Sequence, residues 1–189
     1  MSVETEIKLR VRSAAEAVQL LRGAGFEPAH ERAFEANTLF DTADKSLLAK
    51  RHLLRLREFR GESILTFKGA PAEGPHKIRP EFETAVASSA AFRQILEALG
   101  YAPCFRYEKY RTTFQHPGEN GHAVVDETPI GVFLELEGEA GWIDRTASRL
   151  GFGPGDYITA SYGALWRSYC LERGIEPGDM VFPGRACGG

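Results

Sequence analysis

The segment SVETEIKLRV, residues 2–11, alternates between charged and apolar side chains, and this pattern is the main indication of the fold. With the two-residue period of a β-strand, one face is entirely charged and the opposite face is mostly apolar. The charged face carries Glu4, Glu6, Lys8 and Arg10, and the apolar face carries Val3, Ile7, Leu9 and Val11. A single edge strand with its charges in water would show the same alternation, so this segment has to be interpreted together with the rest of the chain.

The same one-sided charge pattern returns in later segments. Arg55 and Arg57 share one face of the segment 52–58, and Leu54 and Leu56 share the other. The remaining charged positions that follow the pattern are Lys68, Arg79, Glu81, Glu83, Lys109, Arg111, Asp126, Glu135 and Glu137. Acidic residues recur as Glu-x-Glu pairs and basic residues as Arg-x-Arg or Lys-x-Arg pairs, so the charged faces require one common explanation.

Eight strands and four amphipathic helices are predicted from these alternations and from the helical spacing of apolar residues. The helices are expected at about residues 14–22, 88–99, 142–150 and 161–173, with a short helical turn at about residues 46–50. The strands are expected to include residues 37–42 and a hairpin of residues 107–115 and 122–126, with a tight turn at Asn120-Gly121. An open sheet would pack its apolar faces together, whereas a closed barrel would turn its charged faces inward and cover its apolar exterior with helices. Because the helix stripes need an apolar surface to cover, we expect an α+β fold with a closed antiparallel eight-stranded β-barrel, a tunnel with a charged interior.

Length and composition predict one domain. A chain of 189 residues, 43% of them hydrophobic, is long enough for one core and short for two. We therefore expect a single tunnel domain over residues 1–173 and an irregular tail rich in glycine and proline over residues 174–189.

Charge and cysteine content predict the surroundings of the protein. The net charge of −3 argues against a nucleic-acid or membrane-surface binder. The three cysteines, Cys104, Cys170 and Cys187, form no Cys-x-x-Cys pair and indicate neither a disulfide framework nor a zinc site. No apolar run has the length of a membrane helix, and the acidic N-terminus differs from a signal peptide. The expectation is a cytoplasmic monomer or homodimer.

The paired charges also predict a type of ligand. Carboxylates two residues apart on a strand converge on one point, which suits a hard divalent cation such as Mg2+ or Mn2+. Guanidinium groups at the same spacing present planar forks that suit phosphate oxygens. Acids and bases in one cavity therefore indicate a metal-bound polyphosphate, with the metal polarising a phosphoryl group.

These charged pairs occur in an ordered set of short motifs. The set comprises Glu4-x-Glu6-x-Lys8, Phe40-Asp41-Thr42, Leu54-Arg55-x-Arg57, Thr66-x-Lys68, Arg79-x-Glu81-x-Glu83, Lys109-x-Arg111, Asp126 and Glu135-x-Glu137. Together they resemble the CYTH superfamily, the triphosphate tunnel metalloenzymes. The resemblance implies a tunnel that binds a triphosphate with Mg2+ or Mn2+, as in thiamine triphosphatases, inorganic triphosphatases, class IV adenylate cyclases and the RNA triphosphatases of mRNA capping.

The resemblance also implies a role for each charged position. Glu4, Glu6 and Lys68 are expected to act in catalysis, and Glu81 and Glu83 to form a supporting acidic wall. The expected metal ligands are Glu4, Glu6, Asp126, Glu135 and Glu137. The expected phosphate-binding residues are Lys8, Arg10, Arg55, Arg57, Lys68, Arg79, Lys109 and Arg111.

The leading prediction is a metal-dependent hydrolase of inorganic triphosphate, thiamine triphosphate or a nucleoside triphosphate. One alternative is a class IV adenylate cyclase, which forms cyclic AMP and diphosphate from ATP in the same kind of cavity. Several family triphosphatases pair a tyrosine with the lysine that corresponds to Lys68, and that tyrosine position is Leu39 here. A module that binds a polyphosphate or nucleotide without turning it over is therefore a second alternative, and a barrel whose charges only pair with each other is a third.

Overall fold

The computed structural model describes residues 2–184, which contain eight strands and five α-helices. The strands are β1 Ser2–Val11, β2 Glu27–Thr42, β3 Leu53–Phe59, β4 Glu62–Lys68, β5 Lys77–Val86, β6 Tyr101–Gln115, β7 His122–Thr128 and β8 Gly131–Glu137. The helices are α1 Ala14–Gly23, α2 Ser46–Ala49, α3 Ser89–Ala98, α4 Ala140–Arg149 and α5 Tyr162–Arg173. Cys187 and the end of the predicted tail lie outside the described residues.

The strands close into one antiparallel barrel. They are hydrogen-bonded in the order β1-β5-β4-β3-β2-β6-β7-β8, and β8 pairs with β1. The register of that last pair places Lys8 opposite Glu135 and Leu9 opposite Leu134, so charged and apolar residues stay on separate faces. The predicted closed eight-stranded α+β barrel is confirmed.

The chain divides into two compact units, and the first unit comprises Met1–Ala33, Pro71–Pro80 and Tyr110–Ala160. In its core, α1 and α4 pack against the apolar faces of β1, β7 and β8. The buried core side chains include Ile7, Leu9, Leu21, Phe26, Phe114, Val125, Leu134, Leu136, Trp142 and Ile143. Because the helices cover the apolar face of β1, the charged face of the same strand points away from them.

The first helix forms where its capping residue predicts. The Ser13 hydroxyl accepts a hydrogen bond from the backbone N–H of Glu16 at 3.1 Å, which satisfies one of the donors at the helix start. Ala17 and Leu21, four residues apart, are both fully buried in the core. The predicted helix at about residues 14–22 is confirmed by α1.

Beyond α4 the chain returns to β1. The backbone N–H of Lys8 donates to the carbonyl of Ile158 at 2.9 Å, and the N–H of Ile158 donates to the carbonyl of Lys8 at 2.8 Å. This two-way pairing is an isolated antiparallel bridge. The backbone at Lys8 is therefore held by Glu135 of β8 on one side and by Ile158 on the other.

The second unit comprises Phe34–Ala70, Glu81–Lys109 and Ser161–Gly189. Phe40, Leu56 and Leu96 form its apolar core, where α3 covers strands of the barrel. After α5, Met180 is fully buried and makes a parallel bridge to Tyr107 of β6. The predicted tail is thus packed against β6 as far as it is described. The boundary at residue 173 between one domain and a tail stays a prediction.

Two strands are longer than predicted. β2 starts at Glu27, whereas the alternation predicted a strand only from Asn37, and β6 starts at Tyr101 rather than Tyr107. The first six residues of β2 are all exposed, so they carry no buried face that alternation would reveal. Strand pairing, and not burial, extends these two strands.

The turn between β6 and β7 also differs from the prediction. We expected the tight turn at Asn120-Gly121, but the positive φ of 79° belongs to Gly118, which follows Pro117. Gly121 serves a different purpose, because a β-carbon there would lie 2.4 Å from the indole ring of Trp142. Glycine at position 121 therefore permits the close packing of α4 against this hairpin.

Candidate active site

Charged side chains of β1 and β8 form a buried cluster in the first unit. The Lys8 ammonium lies 3.1 Å from a carboxylate oxygen of Glu6 and 3.1 Å from one of Glu135. Burial alone would lower the pKa of Lys8, but the charges of Glu135 and Glu6 outweigh burial and raise that pKa. Lys8 is therefore a permanent cation that holds two carboxylates in place.

Lys77 of β5 belongs to the same cluster, although it is not among the predicted site residues. Its ammonium lies 2.7 Å from the Glu6 oxygen that also faces Lys8. Burial, together with the charges of Lys8 and Arg79, lowers the pKa of Lys77 to about 8, against the opposing effect of Glu6. Its place two residues before Arg79 in the β5 alternation was the signal that could have identified it.

Glu4 and Arg79 form the next ion pair along the same two strands. The Nε of Arg79 donates to a carboxylate oxygen of Glu4 at 3.2 Å. Both residues are buried, Glu4 to 7% exposure and Arg79 to 8%. The structure therefore brings together a predicted metal ligand and a predicted phosphate-binding residue.

Arg111 links β6 to β7 and β8. Its Nε donates to Asp126 at 2.8 Å and its Nη2 donates to the second oxygen of Asp126 at 2.6 Å. The same Nη2 donates to Glu135, which also holds Lys8. Asp126 is fully buried, and this forked pairing satisfies its charge. Arg111, Asp126, Glu135, Lys8 and Glu6 thus form one connected network.

Two predicted residues of the first unit have other partners. Arg10 is exposed, and its guanidinium donates to the carbonyl of Ile130 and lies 4.7 Å from the centre of the Phe133 ring. Glu137 faces His122, at 3.3 Å between Oε2 and Nε2. Within residues 2–184, neither side chain forms a hydrogen bond or ion pair with Lys8, although Glu137 lies opposite Glu6 in the β1–β8 register. Their roles as phosphate and metal ligands stay predictions.

In the second unit, Arg55 and Arg57 of β3 gather around Glu83 of β5. Arg55 donates from Nη2 to the hydroxyl of Thr66 at 3.2 Å and to Glu83 at 3.4 Å. Arg57 lies 4.0 Å from the same Glu83 oxygen, and the Thr66 hydroxyl donates to it at 2.7 Å. Burial would raise the pKa of Glu83, but the Thr66 hydrogen bond and the two arginines lower it. Glu83 therefore stays an anion.

Both of these arginines have donor capacity that residues 2–184 do not use. The Nε atoms of Arg55 and Arg57 are buried, and within this described part of the chain neither has a hydrogen-bond partner. Burial would lower the pKa of Arg55, yet Tyr107, Glu35 and Glu83 raise it, so the guanidinium is charged at every ordinary pH. Buried polar groups are nearly always hydrogen-bonded in folded proteins, so these two donors are exceptions that require an explanation.

The two predicted phosphate-binding lysines of the second unit are also buried and paired. Lys68 lies 3.0 Å from Glu81, and Lys109 lies 3.4 Å from Glu35 and over the ring of Tyr162 at 5.1 Å. Glu35 is fully buried, and sequence reasoning missed it. It lies in the part of β2 that precedes the predicted strand, so no alternation marked it.

Asp41, from the Phe40-Asp41-Thr42 motif, has a structural task. Its carboxylate accepts hydrogen bonds from the backbone N–H groups of Thr42, Leu47 and Leu48 at 2.8, 2.9 and 3.0 Å. These bonds lower the pKa of Asp41 although burial acts in the opposite direction. The motif therefore fixes the turn that leads from β2 into α2.

The carboxylates of the first unit fit a hard divalent cation by the chemistry of their oxygen donors. Within residues 2–184, no three His, Cys, Asp or Glu side chains converge as a preformed metal-binding group. The reason is visible in the cluster itself, since Glu4, Glu6 and Glu135 are directed toward Arg79, Lys77 and Lys8. A metal held by these carboxylates would share them with the cations already present.

Comparison with known proteins identifies the family. A model of the CYTH domain matches residues 2–148. The chain belongs to the CYTH family. A relative from Methanocaldococcus jannaschii, provisionally named an adenylate cyclase, is 28% identical over 136 residues, which are 71% of this chain and 76% of the relative.

Solved structures share the CYTH barrel. A protein of Vibrio parahaemolyticus, also provisionally named an adenylate cyclase, superposes with a TM-score of 0.74 at 23% identity, over 85% of this chain and 95% of that one. A protein from Hippeastrum superposes with a TM-score of 0.63 at 20% identity, over 88% and 96%. It is provisionally named an adenylyl cyclase and is described with a dominant triphosphatase activity. At these identities the likeness shows the fold.

The described α-helices of this CYTH protein are between 4 and 12 residues long. Among the described residues, none of its helices has the length and apolar character required to cross a bilayer.

Proposed function

We propose that this protein is a metal-dependent triphosphatase, which hydrolyses an inorganic or organic triphosphate to diphosphate and phosphate. The observation that carries the proposal is the pair of buried Nε donors of Arg55 and Arg57, which have no partner in residues 2–184. An unmet buried donor costs about 1–3 kcal/mol, and phosphate oxygens satisfy such donors in the planar geometry that arginine prefers. A phosphate group is therefore the ligand that best accounts for this pair.

The position of the Glu83 carboxylate also supports the proposal. Its carboxylate occupies the positions beside Arg55, Arg57 and Thr66 that an anionic ligand would take. A carboxylate and a phosphoryl group offer similar oxygen acceptors to a guanidinium. Glu83 thus serves as the resident anion of this pair when no phosphate is bound.

Each predicted residue would then have a role in this reaction. Glu4, Glu6, Asp126, Glu135 and Glu137 would hold Mg2+ or Mn2+, and Glu81 and Glu83 would form an acidic wall. Lys8, Arg10, Arg55, Arg57, Lys68, Arg79, Lys109 and Arg111 would bind phosphate oxygens. When bound, the metal would polarise the phosphoryl group and reduce its negative charge. The arginines and lysines would neutralise the charge that develops on the departing diphosphate.

The experiment that tests this function is a substrate panel with product identification. Tripolyphosphate, thiamine triphosphate and nucleoside triphosphates would be incubated with the protein and Mg2+ or Mn2+ in parallel, and released phosphate, diphosphate and cyclic nucleotide would be measured. We expect phosphate from at least one triphosphate. Arg55→Met should raise KM, and Glu6→Gln should shift the metal requirement, whereas Arg12→Met, whose side chain is 90% exposed, is the matched control. No phosphate from any substrate with either metal would overturn the proposal.

An adenylate cyclase is the second candidate, because the relative from Methanocaldococcus jannaschii carries that name. The same cationic residues would then bind ATP with its α-phosphorus facing the 3′-hydroxyl group, and diphosphate would leave. Cyclic AMP as the main product from ATP in the same panel would decide for the cyclase.

A binder without turnover is the remaining candidate, and Leu39 motivates it. In the register of β2 and β3, Leu39 lies directly opposite Arg55, so this position offers the guanidinium no polar side chain. Tight tripolyphosphate binding without any product across metals and pH would select the binder.

A further inference from the structure

Tyr107 lies beside the proposed phosphate-binding arginine, although no motif marks it. It follows the β6 alternation of Lys109 and Arg111, two positions earlier. Its side chain is buried, with 6% exposure. The ring packs against the rings of Phe105 at 5.9 Å and Tyr162 at 6.1 Å between centroids. These contacts fix the position of the phenol group.

The phenol oxygen accepts a hydrogen bond from Arg55. The Nη1 of Arg55 lies 3.3 Å from the Tyr107 oxygen. Because the oxygen accepts this bond, the hydroxyl proton must point to another group. Within residues 2–184, this is the only hydrogen bond of the Tyr107 side chain, so its proton has no acceptor there.

Three donors of the second unit therefore have unused capacity in the described part of the chain. They are the Tyr107 hydroxyl, the Arg55 Nε and the Arg57 Nε. The first two belong to residues in direct hydrogen-bond contact, and Arg57 shares Glu83 with Arg55. One anion with several oxygen acceptors, such as a phosphoryl group, can satisfy donors that lie this close together.

We propose that Tyr107 is a phosphate-binding residue, which donates its hydroxyl proton to an oxygen of the phosphoryl group held by Arg55. This inference depends on the proposed triphosphate function. Arg55 polarises the phenol by donating to its oxygen, and this strengthens the phenol as a donor. Tyr107 thereby provides at Arg55 the polar contact that Leu39 does not offer.

The test is Tyr107→Phe, which keeps the ring and removes only the hydroxyl. The dissociation constant for inorganic tripolyphosphate would be measured by calorimetry on the full chain, together with the melting temperature of the ligand-free protein. We expect Tyr107→Phe to weaken binding about tenfold or more, because a hydrogen bond to a charged group is worth at least that factor. The ligand-free melting temperature should fall slightly, because the variant removes the acceptor of the buried Arg55 Nη1 donor.

The matched control is Tyr169→Phe. The Tyr169 ring stacks on Trp166 in α5, and this variant should bind tripolyphosphate like the wild type. If the wild type binds tripolyphosphate and Tyr107→Phe binds it with the same dissociation constant, Tyr107 does not bind phosphate. The proposed function would then still stand. A lower ligand-free melting temperature with no selective loss of binding would also overturn it, because it would show that Tyr107 only supports Arg55. If the wild type itself binds and hydrolyses no triphosphate, the proposed function is wrong and this inference with it.

Discussion

Lys8 lies between two buried carboxylates of the first unit. It separates Glu6 from Glu135, at 3.1 Å from each. Replacing Lys8 by Met should lower the free energy of unfolding by about 3–5 kcal/mol, because the buried network then has more carboxylates than cations, although Glu6 keeps Lys77 and Glu135 keeps Arg111. Urea denaturation without divalent metal would measure the loss. Lys50→Met, at an exposed position after α2, is the control, and equal stability of both variants would contradict the prediction.

Glu83 competes with phosphate for the same arginines, so its charge should weaken ligand binding. Glu83→Gln keeps an acceptor for the Thr66 hydroxyl but removes the negative charge beside Arg55 and Arg57. We expect tripolyphosphate to bind roughly two- to fivefold more tightly, since Glu83 is 39% exposed and such pairs are weak. Calorimetry would compare this variant with Glu62→Gln, at the exposed first residue of β4. Weaker binding would show that Glu83 helps to hold the ligand.

Lys77 makes a predictable contribution to the pH dependence of stability. Folding lowers its pKa to about 8 from 10.5, so the unfolded chain binds this proton more tightly. Its contribution to stability is therefore lowest below pH 8 and rises as the pH increases toward 10.5. The melting temperature of the metal-free wild type, minus that of Lys77→Met, should increase over this window. A difference that stays constant with pH would contradict the lowered pKa.

For single residues, the sequence predicted which charged side chains share a strand face better than it predicted how deeply each one is buried. Glu6, Lys8, Arg111, Asp126 and Glu135 were predicted from alternation, and they form one network. Arg10 satisfied the same alternation but lies exposed near the end of β1. Three residues of the buried clusters were not predicted from the sequence, namely Lys77, Glu35 and Tyr107. A two-residue period gives the face of a strand, but depth within the barrel depends on how strands are staggered, and no local pattern records that.

At the scale of elements, the β6–β7 hairpin depends on the absence of one side chain. A β-carbon at Gly121 would lie 2.4 Å from the Trp142 ring of α4. Gly121→Ala should therefore destabilise the protein by about 1–3 kcal/mol, as overpacked cores do. Gly155→Ala, where a β-carbon would meet no atom within 4 Å, is the control. Urea unfolding midpoints with unchanged slopes would measure both, and an unshifted midpoint for Gly121→Ala would contradict close packing as the reason for this glycine.

Elements with a buried face were predictable, and elements without one were not. α1 has a capping serine and two buried residues four apart, and its predicted bounds agree with the structure. The exposed half of β2 has no such signature, since its partners and not its own side chains define it as a strand. The same reason explains the described part of the tail, residues 174–184, where Met180 is buried and its backbone pairs with β6.

For the whole molecule, buried charged groups of both signs should make the melting temperature depend on the presence of a triphosphate ligand. A triphosphate with Mg2+ that binds only the folded protein should raise the melting temperature, by mass action worth about 2.7 kcal/mol at a hundredfold excess over Kd. Differential scanning fluorimetry with tripolyphosphate and Mg2+ would measure this rise. Arg55→Met should show a smaller rise and Arg12→Met the full one. A melting temperature that saturating ligand leaves unchanged would contradict ligand binding by the barrel.

The bridge between Ile158 and Lys8 has a consequence for where this protein can be cut. The CYTH match ends at residue 148, yet Ile158 completes the hydrogen bonding of the strand that carries Glu4 and Glu6. A fragment that stops at residue 148 would leave backbone donors and acceptors of β1 unpaired at Lys8, and open strand edges recruit other chains. The segment matched by the CYTH family model is thus shorter than the segment needed to complete the hydrogen bonding of β1. Fragments that stop at residue 148 should therefore aggregate.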